Sequence, residues 1–148
     1  MFRNILVPTD GSTLSRRAIK RAVQLAKEQK ARVTAFYVGP PWQPGVYSDF
    51  AITAAYVSPQ QHAAQVKKAA TRYLGVMKKA ATAAGVPCSC AYTSGEYPYL
   101  EIVKAAHRNR CDLILMASHG RRGISRLLLG SETSKVLAHS TVPVLVCR

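Results

Sequence analysis

The chain has 148 residues, 48% of them hydrophobic, and a formal charge of +14 from 21 Lys and Arg against seven Asp and Glu. This length fits one domain with a continuous core, and the apolar fraction excludes an intrinsically disordered chain. No apolar run reaches the roughly 20 residues that a membrane-spanning helix needs. Because the first residues also lack the pattern of an export signal, we expect a single cytoplasmic domain over residues 1–148.

The first predicted strand and the first predicted helix are joined by a polar turn. Residues 4–9 form a short apolar run that predicts a buried strand. Helical spacing of apolar residues over 14–30 predicts the helix, with Ser12 or Thr13 as its N-cap. Asp10, which lies in the turn, is a candidate both for capping this helix and for contacting a ligand.

The remaining elements repeat this alternation of short apolar runs and periodic segments. In chain order they are a strand over 32–38, a long loop over 42–59, a helix over 60–84 ended by Gly85, an edge strand over 86–93, a helix to about 110, a doubly covered strand over 112–117, a helix over 131–140 and a strand over 142–147. Five strands alternating with four helices predict an α/β fold, an open and mostly parallel Rossmann-like sheet with helices on both faces.

The carboxyl ends of three predicted strands supply the candidate binding residues, because ligands of open parallel sheets bind there. These ends are Pro8-Thr9-Asp10, Val38 and Met116-Ala117-Ser118-His119-Gly120. The third continues through Arg121 and Arg122 to Gly130-Ser131 at a helix start. Unpaired N–H groups and the helix dipole favour a phosphate at such a start, and the hydroxyls of Ser131 and Thr133 can add donors.

Three segments resemble the universal stress protein family. They are the opening ILVPTDGS at residues 5–12, the block MASHGRRGISRLLLGSETSKVL at 116–137 and the close PVLV at 143–146. Their order and spacing are similar to those of the family over essentially the whole chain. ATP-binding members carry a glycine, two residues, a second glycine, nine residues, then Gly-Ser or Gly-Thr. Gly120 and Gly130-Ser131 match this motif, whereas Ala117 replaces the first glycine.

The resemblance implies a nucleotide-binding regulatory protein of the stress response, with ATP, ADP or AMP as ligand, with or without Mg²⁺, and at most slow hydrolysis. The residues implied to border the base and ribose are Pro8, Thr9, Asp10, Val38 and Met116. Those implied to surround the phosphates are Ala117, Gly120, Gly130, Ser131, Glu132 and Thr133. The Glu132 side chain must point away from the phosphates or be neutralised by a cation. The family also implies a homodimer through the last strand, Val142–Val146.

Two other functions are compatible with the sequence. The charge of +14 is compatible with a nucleic-acid-associated basic protein, although the basic residues are spread along the chain and no nucleic-acid motif is present. The alanine at position 117 is compatible with an interaction module that binds no nucleotide. Neither GxxxxGK[ST] nor a GxGxxG after the first strand occurs, which argues against a P-loop NTPase and a typical NAD dehydrogenase. Cys88 and Cys90 are interpreted as structural cysteines.

Overall fold

The computed structural model describes residues 1–44, 57–119 and 129–148. Its elements, in chain order, are β1 (Asn4–Pro8), α1 (Thr13–Gln29), β2 (Arg32–Gly39), α2 (Pro59–Ala84), β3 (Cys88–Ser94), α3 (Pro98–Arg108), β4 (Leu113–Ala117), α4 (Ser131–His139) and β5 (Val144–Cys147). The strands form one sheet in the order β3-β2-β1-β4-β5, and every neighbouring pair is parallel. The predicted α/β class is confirmed.

The strand order places a switch point beside the central strand. From β1 the chain moves outward through β2 to β3, then returns to add β4 on the other side of β1. All five residues of β4 are buried, as expected for a strand covered on both faces. The helices divide between the faces, because α1 and α2 pack in one core cluster with residues such as Ile5 and Val33, whereas α3 and α4 pack with Leu6 and Phe36.

The helix ends follow local capping chemistry. Ser12 is the N-cap of α1, and its hydroxyl accepts a hydrogen bond from the Ser15 amide at 3.1 Å. At the start of α2, Ser58 and Gln61 form a reciprocal capping box. Gly85 ends α2 in the left-handed conformation with φ of 69°, as predicted. The sequence therefore determined these boundaries to within a residue or two.

Three predicted boundaries are corrected by the structure. The last strand begins at Val144 rather than Val142, because the Val142 amide and carbonyl both bond the Ser140 hydroxyl. The third strand begins at Cys88, because Val86 donates its amide to the carboxyl end of α2 and Pro87 has none to donate. The predicted loop over 42–59 lies mostly outside the described residues, and α2 already begins at Pro59.

The cysteines occupy the sheet and its margin. Burial, followed by the neighbouring Cys90 side chain, raises the pKa of the Cys88 thiol to about 11, so this thiol is protonated at neutral pH. Within the described ranges no group of three or more His, Cys, Asp or Glu could hold a metal ion. The described helices also include none that is long and apolar enough to cross a membrane.

Candidate functional site

A cavity of about 520 Å³ opens at the carboxyl ends of the strands. Its walls bring together ten of the residues predicted from the sequence: Pro8, Thr9, Asp10, Val38, Met116, Ala117, Gly130, Ser131, Glu132 and Thr133. The eleventh, Gly120, lies outside the described residues, as do Arg121 and Arg122. Residues separated by more than 100 positions meet here because β1, β2 and β4 are neighbours in the sheet.

The turn from β1 into α1 forms the first wall and is fixed by its own side chains. The buried Thr9 hydroxyl donates to the Ser15 Oγ at 3.1 Å and accepts from the Gly11 amide at 3.2 Å. Asp10 Oδ1 accepts the Ser12 amide at 2.9 Å. Asp10 therefore organises the turn ahead of the helix, while the N-cap itself is Ser12.

The end of β4 forms the second wall and is tied to α4. The Ser118 amide donates to the Cys147 carbonyl at 2.7 Å, and the Gly130 amide donates to the Ser118 carbonyl at 2.8 Å. The Thr133 hydroxyl, which the sequence offered as a phosphate donor, instead donates to the Ala117 carbonyl at 3.0 Å, and Thr133 is only 3% exposed. These bonds hold the first turn of α4 against the strand end.

Ala117 fits this wall without backbone strain. It is the last residue of β4 and pairs in register with Cys147 of β5. In the described part of the chain, Lys30 and Arg110 are the only residues other than glycine with positive φ. The alanine that replaces the family glycine is therefore compatible with the conformation of the strand end.

The start of α4 lines the cavity. Gly130 is the N-cap, with φ of −59° and ψ of 150°, and has no side chain with which to cap the following amides. Within the described ranges no hydrogen bond is made by the amides of residues 131–133. Such amides, together with the positive end of the helix dipole, form a site for an anion.

Glu132 lines the same cavity, but its carboxylate is already engaged. Oε2 accepts the Tyr99 amide at 2.9 Å, in the first turn of α3, and Oε1 lies 3.2 Å from the Lys135 ammonium. A carboxylate at a helix N-terminus is stabilised by the helix dipole. The Glu132 carboxylate is thus bonded to other groups of the protein, and its orientation relative to a bound phosphate stays a prediction.

Sequence reasoning missed part of the cavity. Gly39 at the end of β2, Pro40 and Pro41 after it, and Gly95-Glu96 after β3 also line it, because β3 lies next to β2 and ends at the same edge. The glycines and prolines at the strand ends were the sequence signal from which these lining residues could have been predicted. His119 lines the cavity as well: Nδ1 lies 3.0 Å from the Ser118 Oγ, and the buried Nε2 has no partner among the described residues.

Comparison with known proteins assigns the whole chain to one protein family. A model of the universal stress protein family matches residues 1–148. Universal stress protein YxiE of Bacillus subtilis is 35% identical, with both chains covered completely. Universal stress protein UspA from Lactobacillus plantarum superposes with a TM-score of 0.74 at 27% identity, covering 99% of this chain and 97% of the other. A universal stress protein in complex with cAMP superposes with a TM-score of 0.69 at 24% identity, covering 99% and 97%.

Proposed function

The chain belongs to the universal stress protein family, and on this basis we propose that it is a regulatory protein that binds an adenine nucleotide, ATP or its products ADP and AMP, in the cavity at the strand ends. One observation carries the proposal: a cavity of about 520 Å³ combines an apolar wall with the uncapped start of a helix. That volume lies within the range of about 300–1,000 Å³ that small-molecule sites occupy.

The base and ribose are assigned to the sheet side of the cavity. Pro8, Val38 and Met116 offer an apolar surface against which a purine can lie. Asp10 also lines the cavity, where a carboxylate oxygen can accept a hydrogen bond from a ribose hydroxyl. The solved protein of this fold in complex with cAMP indicates that the fold can hold an adenine nucleotide.

The phosphates are assigned to the start of α4, where the absence of a side chain on Gly130 lets a ligand approach the amides of residues 131–133. No carboxylate cluster among the described residues would hold Mg²⁺ by itself. A Mg²⁺ ion would therefore be coordinated mainly by phosphate oxygens and water. Asp10 Oδ1 and Glu132 Oε2 each accept a backbone amide. As the family resemblance implies, we expect hydrolysis to be slow at most.

Calorimetric titration of nucleotide-stripped protein tests this function. We expect saturable one-site binding of ATP with Mg²⁺ and of AMP. Absence of binding at millimolar ATP and AMP would reject the proposal.

We also propose that two copies pair through β5. This strand is an edge of the sheet, and Leu145 is 44% exposed on it. Leu145 and Leu129 line a groove of about 650 Å³ between α1 and β5. An exposed apolar edge strand is covered in most soluble proteins, and a second copy of the same strand gives a two-fold interface.

Light scattering after size exclusion tests the pairing. We expect the protein to elute as a dimer and Leu145→Lys to elute as a monomer, because the lysine places a charge at the centre of the proposed interface. The matched control is Tyr92→Lys on the opposite edge strand β3, where Tyr92 is 45% exposed. A monomeric wild type, or equal dissociation of both variants, would reject pairing through β5.

A further inference from the structure

The two helices on one face of the sheet, α1 and α2, are strongly and uniformly basic. They contain ten Lys and Arg residues and one carboxylate, Glu28. The ten, all exposed, are Arg16, Arg17, Lys20, Arg21, Lys27, Lys67, Lys68, Arg72, Lys78 and Lys79. No acidic residue occurs anywhere in the 26 residues of α2. Ten of the 21 Lys and Arg residues of the sequence are thus brought by the fold into one helical layer.

The opposite layer has a different charge pattern. There α3 and α4 carry three Lys or Arg and two Glu, and both carboxylates are paired: Glu101 lies 2.9 Å from Lys104, and Glu132 lies 3.2 Å from Lys135. Among the described residues no ion pair involves any of the ten basic side chains of α1 and α2. The basic side chains of this layer are therefore available to bind an anionic partner outside the chain.

Within this layer, six of the basic residues form two rows with the same spacing. The α1 row contains Arg16, Lys20 and Lys27, and the α2 row contains Lys68, Arg72 and Lys79. In both rows the members lie at positions i, i+4 and i+11, which fall on one side of a helix. At about 1.5 Å per residue, each row extends about 16 Å along its helix.

The two rows lie on neighbouring helices that pack against each other. On α1, all three members of the row are exposed. On α2, the α2 row points away from the buried positions Val66, Leu74 and Met77 and therefore toward solvent. Packed helices have axes about 8–10 Å apart, so the two rows belong to one basic surface.

We propose that the two rows bind the phosphate backbone of double-stranded nucleic acid without reading its sequence. Lys and Arg side chains are the usual partners of backbone phosphates. A single strand fits less well, because α1 and α2 expose no aromatic side chain on which bases could stack. A membrane also fits less well, because Val76 is the only large hydrophobic residue that these helices expose. This surface is separate from the nucleotide cavity and does not depend on it.

A charge-matched pair of triple variants tests this proposal. The row variant carries Lys68→Gln, Arg72→Gln and Lys79→Gln. The control variant carries Arg3→Gln, Lys104→Gln and Arg108→Gln, which removes three exposed positive charges outside the layer. Binding of each protein to a fluorescent duplex of about three helical turns is measured by anisotropy from about 50 to 200 mM salt. Circular dichroism confirms that each variant is folded.

We expect the wild type to bind the duplex with a steep salt dependence. The row variant should bind at least tenfold more weakly at the lowest salt, with a slope of log K against log salt that is shallower by about 2.7, or 0.9 for each lost phosphate contact. The control variant should keep a slope close to that of the wild type. Equal loss in both variants would show a general charge effect and overturn the proposal. So would row-dependent binding to phosphatidylserine vesicles without duplex binding, or no duplex binding by the wild type at the lowest salt.

Discussion

Gly130→Trp is expected to lower the affinity for adenine nucleotide by about a hundredfold or more, equivalent to about 2.7 kcal/mol. Gly130 lines the cavity as the N-cap of α4, and its φ of −59° and ψ of 150° are accessible to any residue. The indole ring can therefore be added without backbone strain, and its amide can still donate to the Ser118 carbonyl. The added ring would occupy the space proposed for the phosphates. Titration with ATP and AMP measures the loss.

The control for this variant adds the same ring to the same helix away from the cavity. Leu137 lies on α4, is 41% exposed and is absent from the cavity wall. We expect Leu137→Trp to bind nucleotide as the wild type does, and both variants to melt within a few degrees of it. Retained affinity in a folded Gly130→Trp protein would contradict the assignment of the phosphates to the start of α4, whatever the family resemblance implies.

The fold could be predicted from the sequence because its signals are local and agree with one another. The run over residues 112–117 is apolar at consecutive positions, and β4 is buried at all five of its residues. Ser12 is the N-cap of α1 and Gly85 is the C-cap of α2, and both residues were candidates for these roles in the sequence. Once the strands and their direction were known, the strand-end rule led to six residues of one cavity, Pro8, Thr9, Asp10, Val38, Met116 and Ala117. The helix start and the family resemblance added Gly130, Ser131, Glu132 and Thr133. That the strand ends lie close together could be predicted without knowing any side-chain contact.

Contacts between distant residues could not be predicted in this way. The Glu132 carboxylate bonds the Tyr99 amide, 33 positions earlier, and no pattern in the sequence connects the two residues. The contribution of Gly95 and Glu96 to the cavity depends on β3 lying next to β2, which only the strand order shows. The basic layer has the same origin, because α1 and α2 are separated by the whole of β2 and become one surface only when they pack on the same face.

Such a distant contact also underlies the prediction for Gly11, in the turn between β1 and α1. Gly11 has φ of +78°, and a Cβ atom added there would overlap the ring of Tyr73 on α2. The left-handed conformation costs about 1–2 kcal/mol for a residue with a side chain, and overpacking costs about 1–3 kcal/mol. We therefore expect Gly11→Ala to lower the free energy of unfolding by about 2–5 kcal/mol, measured by denaturant titration.

The matched control is Gly75→Ala, in the exposed middle of α2, where an added Cβ meets nothing within 4 Å. Since alanine is the better helix former, this variant should be more stable than the wild type by about 1 kcal/mol. In a Tyr73→Ala background, where the ring is gone, Gly11→Ala should cost less by about 1–3 kcal/mol, the overpacking part. If Gly11→Ala lowers the free energy of unfolding equally in both backgrounds, the Tyr73 ring moves aside without a measurable energetic cost.

The same substitution connects the turn to the nucleotide cavity. The Gly11 amide donates to the Thr9 hydroxyl, and Thr9 and Asp10 form part of the cavity wall. If Tyr73 does not yield, the turn must shift, and the wall beside the base and ribose shifts with it. We therefore expect Gly11→Ala to weaken adenine nucleotide binding under conditions in which it is still folded, and Gly75→Ala to leave binding unchanged. Unchanged affinity in a destabilised Gly11→Ala protein would show that the cavity wall is positioned by the strand end rather than by the turn.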